Sequence, residues 1–130
     1  MKKKSLISGL TALFLFSSVA LFAIEKPTPT SASETPENVQ TIIKKSCFGC
    51  HNSNSGNDDA KEALDFKKLD SLSLMKKISA YKHIGEIVEE NKMPPKGFLK
   101  KYPERKLSDE EKQVLIAWAK KEAEALVKGK

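Results

Sequence analysis

The residues best equipped for chemistry in this chain lie in one short run, Cys47-Phe48-Gly49-Cys50-His51. The spacing is C-x-x-C-H, the attachment sequence for haem of the c type. It has a mechanical basis. Two thiols three residues apart can each add to one vinyl group of the macrocycle, and the imidazole of the next residue then lies under the iron as proximal ligand. Gly49 places no side chain where the backbone must pass close to the ring. Other uses of the run fit less well. A thioredoxin-like dithiol sits at a helix start inside a βαβ pattern, and no strand pattern precedes Cys47. Zinc would need two more ligands, and besides His51 the chain has only His83. A plain Cys47–Cys50 disulfide suits an oxidising compartment but leaves His51 without a role.

A haem iron has a second axial face, for which the candidates are Met93, His83 and Met75. Met93 lies 42 residues beyond His51 and is followed by Pro94-Pro95, which stop a helix and hold the residue in a segment that can present its thioether. His83, in Tyr81-Lys82-His83, reads as an exposed helix position. Met75, among Leu72, Leu74 and Ile78, reads as core filler. The favoured ligand is Met93, with an open sixth position as a further alternative. The choice decides function: His/Met ligation makes a closed electron-transfer centre with raised potential, whereas an open site could bind ligands or catalyse.

The elements that must position these residues read as helices. Thr35 as N-cap and Pro36 at the first position open a helix whose apolar residues Val39, Ile42 and Ile43 run toward Cys47. Residues 52–57 (Asn-Ser-Asn-Ser-Gly-Asn) are a loop by composition. Asp59 with Glu62 suggests a capping box for a short helix over 60–68. Leu72, Leu74, Met75 and Ile78, then Ile84, Ile87 and Val88, predict one or two helices ending near Asn91, with Gly85 weakening the middle. Ser108 with Glu111 makes a second capping box, opening a last helix with Val114, Leu115, Trp118 and Ala119 on one stripe and Leu126 near its end. No alternating pattern, internal repeat or Gly-rich phosphate loop is present. The expected fold class is all-α.

Within 130 residues there is room for one domain, and not all of the chain belongs to it. Lys2-Lys3-Lys4 followed by an uncharged apolar run from Leu6 to Ile24 has the form of a secretory signal peptide, residues 1–23, with cleavage after Ala20 or Ala23. No Cys lies near the site, so a lipoprotein anchor is not expected. The alternative is retention as an anchor, since about 19 residues is near the minimum for spanning a bilayer. Residues 24–35 form a Pro/Ser/Thr linker, and 36–130 the domain. The expected location is outside the cytoplasm, periplasmic, and membrane-tethered if the segment is retained.

The formal charge of +6 falls to +3 without the signal segment, and it is unevenly spread. Residues 92–106 hold six basic side chains against one acidic, whereas residues 24–91 are net −2 and 107–130 balance. The expected partner is therefore an acidic redox protein steered to the basic segment; the plainer alternative is a solvated lysine-rich loop. No nucleic-acid partner is expected for an exported domain without a longer basic surface, and the domain is expected to be a monomer. Its aromatics are few: Phe48, Phe66, Tyr81, Phe98, Tyr102 and Trp118. A porphyrin would add apolar area to such a thin core.

Cys47-Phe48-Gly49-Cys50-His51, Lys92-Met93-Pro94-Pro95, Leu107-Ser108-Asp109-Glu110-Glu111 and Ile116-Ala117-Trp118 occur in an order that resembles the small exported haem-binding domains of the cytochrome c class, over roughly Thr35 to Lys128. The resemblance implies a fold in which N- and C-terminal helices cross beside the haem, with His51 as proximal and Met93 as distal ligand. Where many such domains carry a Trp/Pro-rich stretch after the motif, this chain has Asn52 to Asp59, so no propionate contact is carried over. The expected function is that of a monohaem c-type cytochrome, with one haem c held by Cys47 and Cys50 and its iron by His51 and Met93. It would carry electrons and catalyse nothing. The alternatives are a haem enzyme or gas sensor with an open distal site, and, third, a thiol–disulfide oxidoreductase.

Overall fold

Five α-helices and two single-turn 3₁₀ helices, with no strand, account for the regular structure of residues 34–129, the span described by the computed structural model. The expected signal segment and all but the end of the linker lie outside the described residues. The α-helices are α1 (Glu37–Ser46), α2 (Asp58–Ala63), α3 (Leu74–Glu89), α4 (Lys96–Lys101) and α5 (Asp109–Lys128); the 3₁₀ turns are Leu69–Ser71 and Pro103–Arg105. None of the described helices is long and apolar enough to cross a membrane.

Three helices make the frame. In α1 the buried residues Val39, Ile42, Ile43 and Ser46 recur at helical spacing and form one stripe. In α3 the stripe is Ile78, Tyr81, Ile84 and Val88, and in α5 it is Leu115, Trp118, Ala119 and Ala123. α5 packs along α3 and also meets α1. Small residues let α3 and α5 approach: Ala119 is fully buried, and a methyl group added at Gly85 would touch its Cβ at 3.8 Å. Tyr81 and Trp118 meet edge to face, with ring centroids 5.3 Å apart, the arrangement the ring quadrupoles favour. Leu69 and Leu107, from the connections, complete this core.

Several element ends differ from the sequence reading. α1 begins one residue late, with extended Pro36 as its N-cap and no side-chain cap; Thr35 contributes only its carbonyl, which accepts from the Gln40 side-chain Nε2 at 2.6 Å. The short helix spans 58–63 rather than 60–68. Its cap is Asn57, whose Oδ1 accepts from the Ala60 amide at 3.0 Å, in place of Asp59. Residues 74–89 form one continuous helix, because Gly85 lies against α5 where tertiary packing offsets its low propensity. Met75 is not core filler: it is 66% exposed, in the first turn of α3 ahead of the buried stripe. α4 was not anticipated. The capping box of α5 is present in full, with Ser108 Oγ accepting from the Glu111 amide and the Glu111 carboxylate accepting from the Ser108 amide.

Candidate functional site

Cys47 caps the C-terminal end of α1, so the frame delivers the C-x-x-C-H run at a fixed point. The run continues as a tight turn: the Phe48 amide donates to the Ile43 carbonyl, and the Cys50 and His51 amides to the Cys47 carbonyl at 3.1 Å. Two further contacts hold this end of α1. Arg105 donates to the Lys45 carbonyl at 3.1 Å, satisfying one of the helix's unpaired terminal acceptors. Lys45 reaches the Glu111 carboxylate at 2.6 Å, so the residue that caps α5 also ties α1 to it. This lysine, foremost, holds the Glu111 carboxyl below the usual range.

The loop after His51 folds back to orient the imidazole. His51 Nδ1 lies 2.9 Å from the Ala60 carbonyl and 3.1 Å from the Leu64 carbonyl. Carbonyl oxygens only accept, so Nδ1 is placed as the donor, and in the neutral ring Nε2 then keeps its lone pair for a metal. Ala60 lies in α2 and Leu64 is its C-cap; the Leu64 carbonyl lies past the last helical turn, while the Ala60 carbonyl already accepts from the Leu64 amide at 3.0 Å and takes the imidazole as well, at the end of the helix that favours a donor. Phe66 packs edge-on to the His51 ring, and its amide donates to the His51 carbonyl at 3.2 Å. Asn52, 8% exposed, clips the turn from inside: its amide group donates to the Phe48 carbonyl and its Oδ1 accepts from the Asn54 amide at 2.9 Å. Ser53 donates to the Asp65 carboxylate, the leading reason that the Asp65 carboxyl titrates below its usual value.

Met93 arrives from the other side. α3 ends in a Schellman motif: Asn91 takes the left-handed conformation (φ 56°), its amide donates to the Val88 carbonyl at 3.1 Å, and the Lys92 amide to that of Ile87 at 3.0 Å. Pro94 and Pro95 follow at once and prevent resumption of that helix; Pro95 instead caps α4.

Cys47, Cys50, His51 and Met93 all line one cavity of about 320 Å³. Its other walls are mainly apolar, including Val88, Phe98 and Leu107. Ser46 lines it too, and the Ser46 hydroxyl is buried without a protein partner. His83 and Met75 are exposed on α3 and belong to other surfaces. An apolar cavity with two thiols, a ring nitrogen whose tautomer is fixed and a thioether fits a covalently attached macrocycle with an axially ligated metal. It does not suit a reactive dithiol. Cys47 is at the C-terminal rather than the N-terminal end of a helix, and burial pushes its thiol up to about 11, away from the thiolate.

Sequence reasoning missed Asn52, Asn57, Arg105 and the carbonyls of Ala60 and Leu64. The Asn52-x-Asn54 pair carried an Asx-turn signal. The carbonyls carried none, because every residue has one.

Residues 57–121, half of the chain, match a family model described as a haem-binding domain. The span starts beyond His51 and includes Met93, Ser108 and Trp118, so the match and the C-x-x-C-H run are separate observations. No curated protein and no solved structure matches the chain.

Proposed function

Because the chain belongs to the haem-binding domain family, we propose that it is a monohaem electron carrier of the cytochrome c type. One observation carries the reading: the two carbonyls on His51 Nδ1 leave Nε2 available in a cavity that Cys47, Cys50 and Met93 also line. Cys47 and Cys50 would hold the haem covalently, and His51 and Met93 would take its iron. Bound there, haem supplies a one-electron couple and requires no covalent change in a substrate.

The chain's own residues serve that couple in distinct ways. The Ala60 and Leu64 carbonyls fix the plane of the imidazole and increase its basicity as a ligand. The Met93 thioether is a soft donor that raises the potential. Val88, Phe98 and Leu107 give the cavity apolar walls, so less solvent has to reorganise when one electron enters or leaves. The targeting segment read at residues 1–23 puts this carrier outside the cytoplasm, in a periplasm, with residues 24–35 as its tether if the segment is retained.

A haem-stained denaturing gel of the full chain, produced with a c-haem maturation system, is the direct test. The wild type should stain and the Cys47→Ala/Cys50→Ala variant should not; an unstained wild type overturns the proposal. Met93→Ala should then change the visible spectrum of the oxidised protein and admit carbon monoxide on reduction. Ready binding of carbon monoxide by the wild type would instead favour the enzyme or sensor with an open distal site.

A further inference from the structure

The basic side chains of residues 92–106 do not share one surface. Lys92 is paired with Glu90 at 2.7 Å, and Arg105 turns inward to the Lys45 carbonyl and the cavity that holds Cys47. Lys96, Lys100 and Lys106 line a separate open groove of about 400 Å³, where α5 adds Lys112. Leu99 and Leu107 give the groove apolar area, and among the described residues Asn91 is its only other polar side chain and no carboxylate lines it. Opposing charge comes from Asp109, which holds Lys112 at 3.0 Å and also feels Lys106. Met93, Pro94 and Leu107 line both this groove and the cavity. The two are separated by a single layer of side chains.

We propose that this groove is the docking face for an acidic protein surface that exchanges electrons through the Met93 wall. The electron-exchange part rests on the carrier function proposed above; the docking part rests on the charge and shape of the groove. Lys96, Lys100 and Lys106 are exposed, on long stems, and none of them forms an ion pair within 4 Å among the described residues. Such groups hold a small anion weakly, because each contact is screened by water and salt. A protein face with several carboxylates engages all four ammonium groups at once and covers the apolar residues between them. The fold thus sharpens a fifteen-residue basic segment into four lysines beside the proposed ligand, one of them from outside that segment.

The test uses the full chain and poly-L-glutamate as an acidic polypeptide probe, followed by amide chemical shifts at low salt. Shifts should centre on residues 91–107 and Lys112. Affinity should fall about tenfold or more in Lys96→Glu/Lys100→Glu, and by less in Lys96→Gln/Lys100→Gln, which guards against misfolding from charge reversal. Lys120→Glu/Lys121→Glu, on the exposed face of α5, should change it by less than about twofold. With haem present, oxidation by anionic hexacyanoferrate(III) should slow about tenfold in the Glu variant, and oxidation by cationic tris(phenanthroline)cobalt(III) should not slow.

Shifts centred on Lys120, Lys121 and Lys128, or spread over all lysines, overturn the proposal. So does binding to anionic phospholipid vesicles in the absence of any response to the peptide. Haem staining of the same samples separates the two claims. A haem-free chain that still takes the peptide in the groove retains the docking face and overturns the carrier function, whereas a haem-loaded chain without groove-centred shifts overturns the docking face alone.

Discussion

The cavity has two walls built on opposite physical terms. The wall that carries His51, residues 47–66, is clipped by side chains onto backbone, His51 on Ala60 and Leu64, Asn52 on Phe48 and Asn57 on Ala60, and by the Ser53 hydroxyl onto the Asp65 carboxylate. The wall that carries Met93, residues 91–106, is set by chain stiffness. A Schellman turn, two prolines and the six-residue α4 shape it, α4 buries no residue completely, and neither α4 nor the 3₁₀ turn after it has a side-chain cap. An imidazole has a ring plane and a tautomer that need partners to fix them; a thioether has neither. The difference teaches that orientation is specified where the side chain is directional, and position alone where it is not.

Four measurements would break or sharpen that contrast, in descending order of expected effect. Trp118→Ala removes the edge-to-face partner of Tyr81 from the shared frame and should cost about 3–5 kcal/mol in the denaturant midpoint. Both walls should then be lost in one transition; sequential loss would mean that they do not depend on the same frame. Asn52→Ala should cost about 1–3 kcal/mol, because the Phe48 carbonyl loses a buried donor. Lys96→Ala in the other wall should stay within about 0.5 kcal/mol, and equal losses would erase the distinction.

Native-state hydrogen exchange reads the same contrast without mutation. The Phe66 amide, bonded to the His51 carbonyl, should exchange about tenfold more slowly than the Leu99 and Tyr102 amides of α4, a difference of roughly 1.4 kcal/mol in opening free energy. The last measurement concerns Glu111. Lys45 lowers its folded pKa, so the contact stabilises the fold at pH above the unfolded carboxylate value, and this is lost as pH falls through the folded value. The pair is partly solvated, so the loss should be below about 1 kcal/mol. Glu111→Gln should flatten the acid limb of a pH–stability curve, and an unchanged limb would remove Glu111 as its source.

How far the sequence could be read follows from the range of each interaction. The α5 capping box was legible because Ser108 and Glu111 are three residues apart and need nothing else to meet. The buried stripe of α1 was legible because period 3.6 is a local property. Met75 was misread because apolar neighbours in sequence say nothing about where the packing partner ends. Arg105 looked like part of a charged patch; only the fold turns it onto the end of α1, sixty residues earlier in the chain. The distal basic segment was legible as charge, but its division among Glu90, the cavity and the groove was not.

The sequence by itself determined the helical character of the described residues, the C-x-x-C-H spacing of Cys47, Cys50 and His51, and a thioether at Met93 held out of any helix by Pro94 and Pro95. These are matters of residue type and short spacing, governed by covalent geometry and local propensity. Tertiary structure decided that Met93 and the C-x-x-C-H run share a cavity, that His51 Nδ1 faces two backbone carbonyls, and that Lys112 joins three lysines of another segment. Each of these depends on groups brought together by burial of the α1, α3 and α5 stripes. A backbone carbonyl or a flexible lysine acquires its role only from what that burial places beside it.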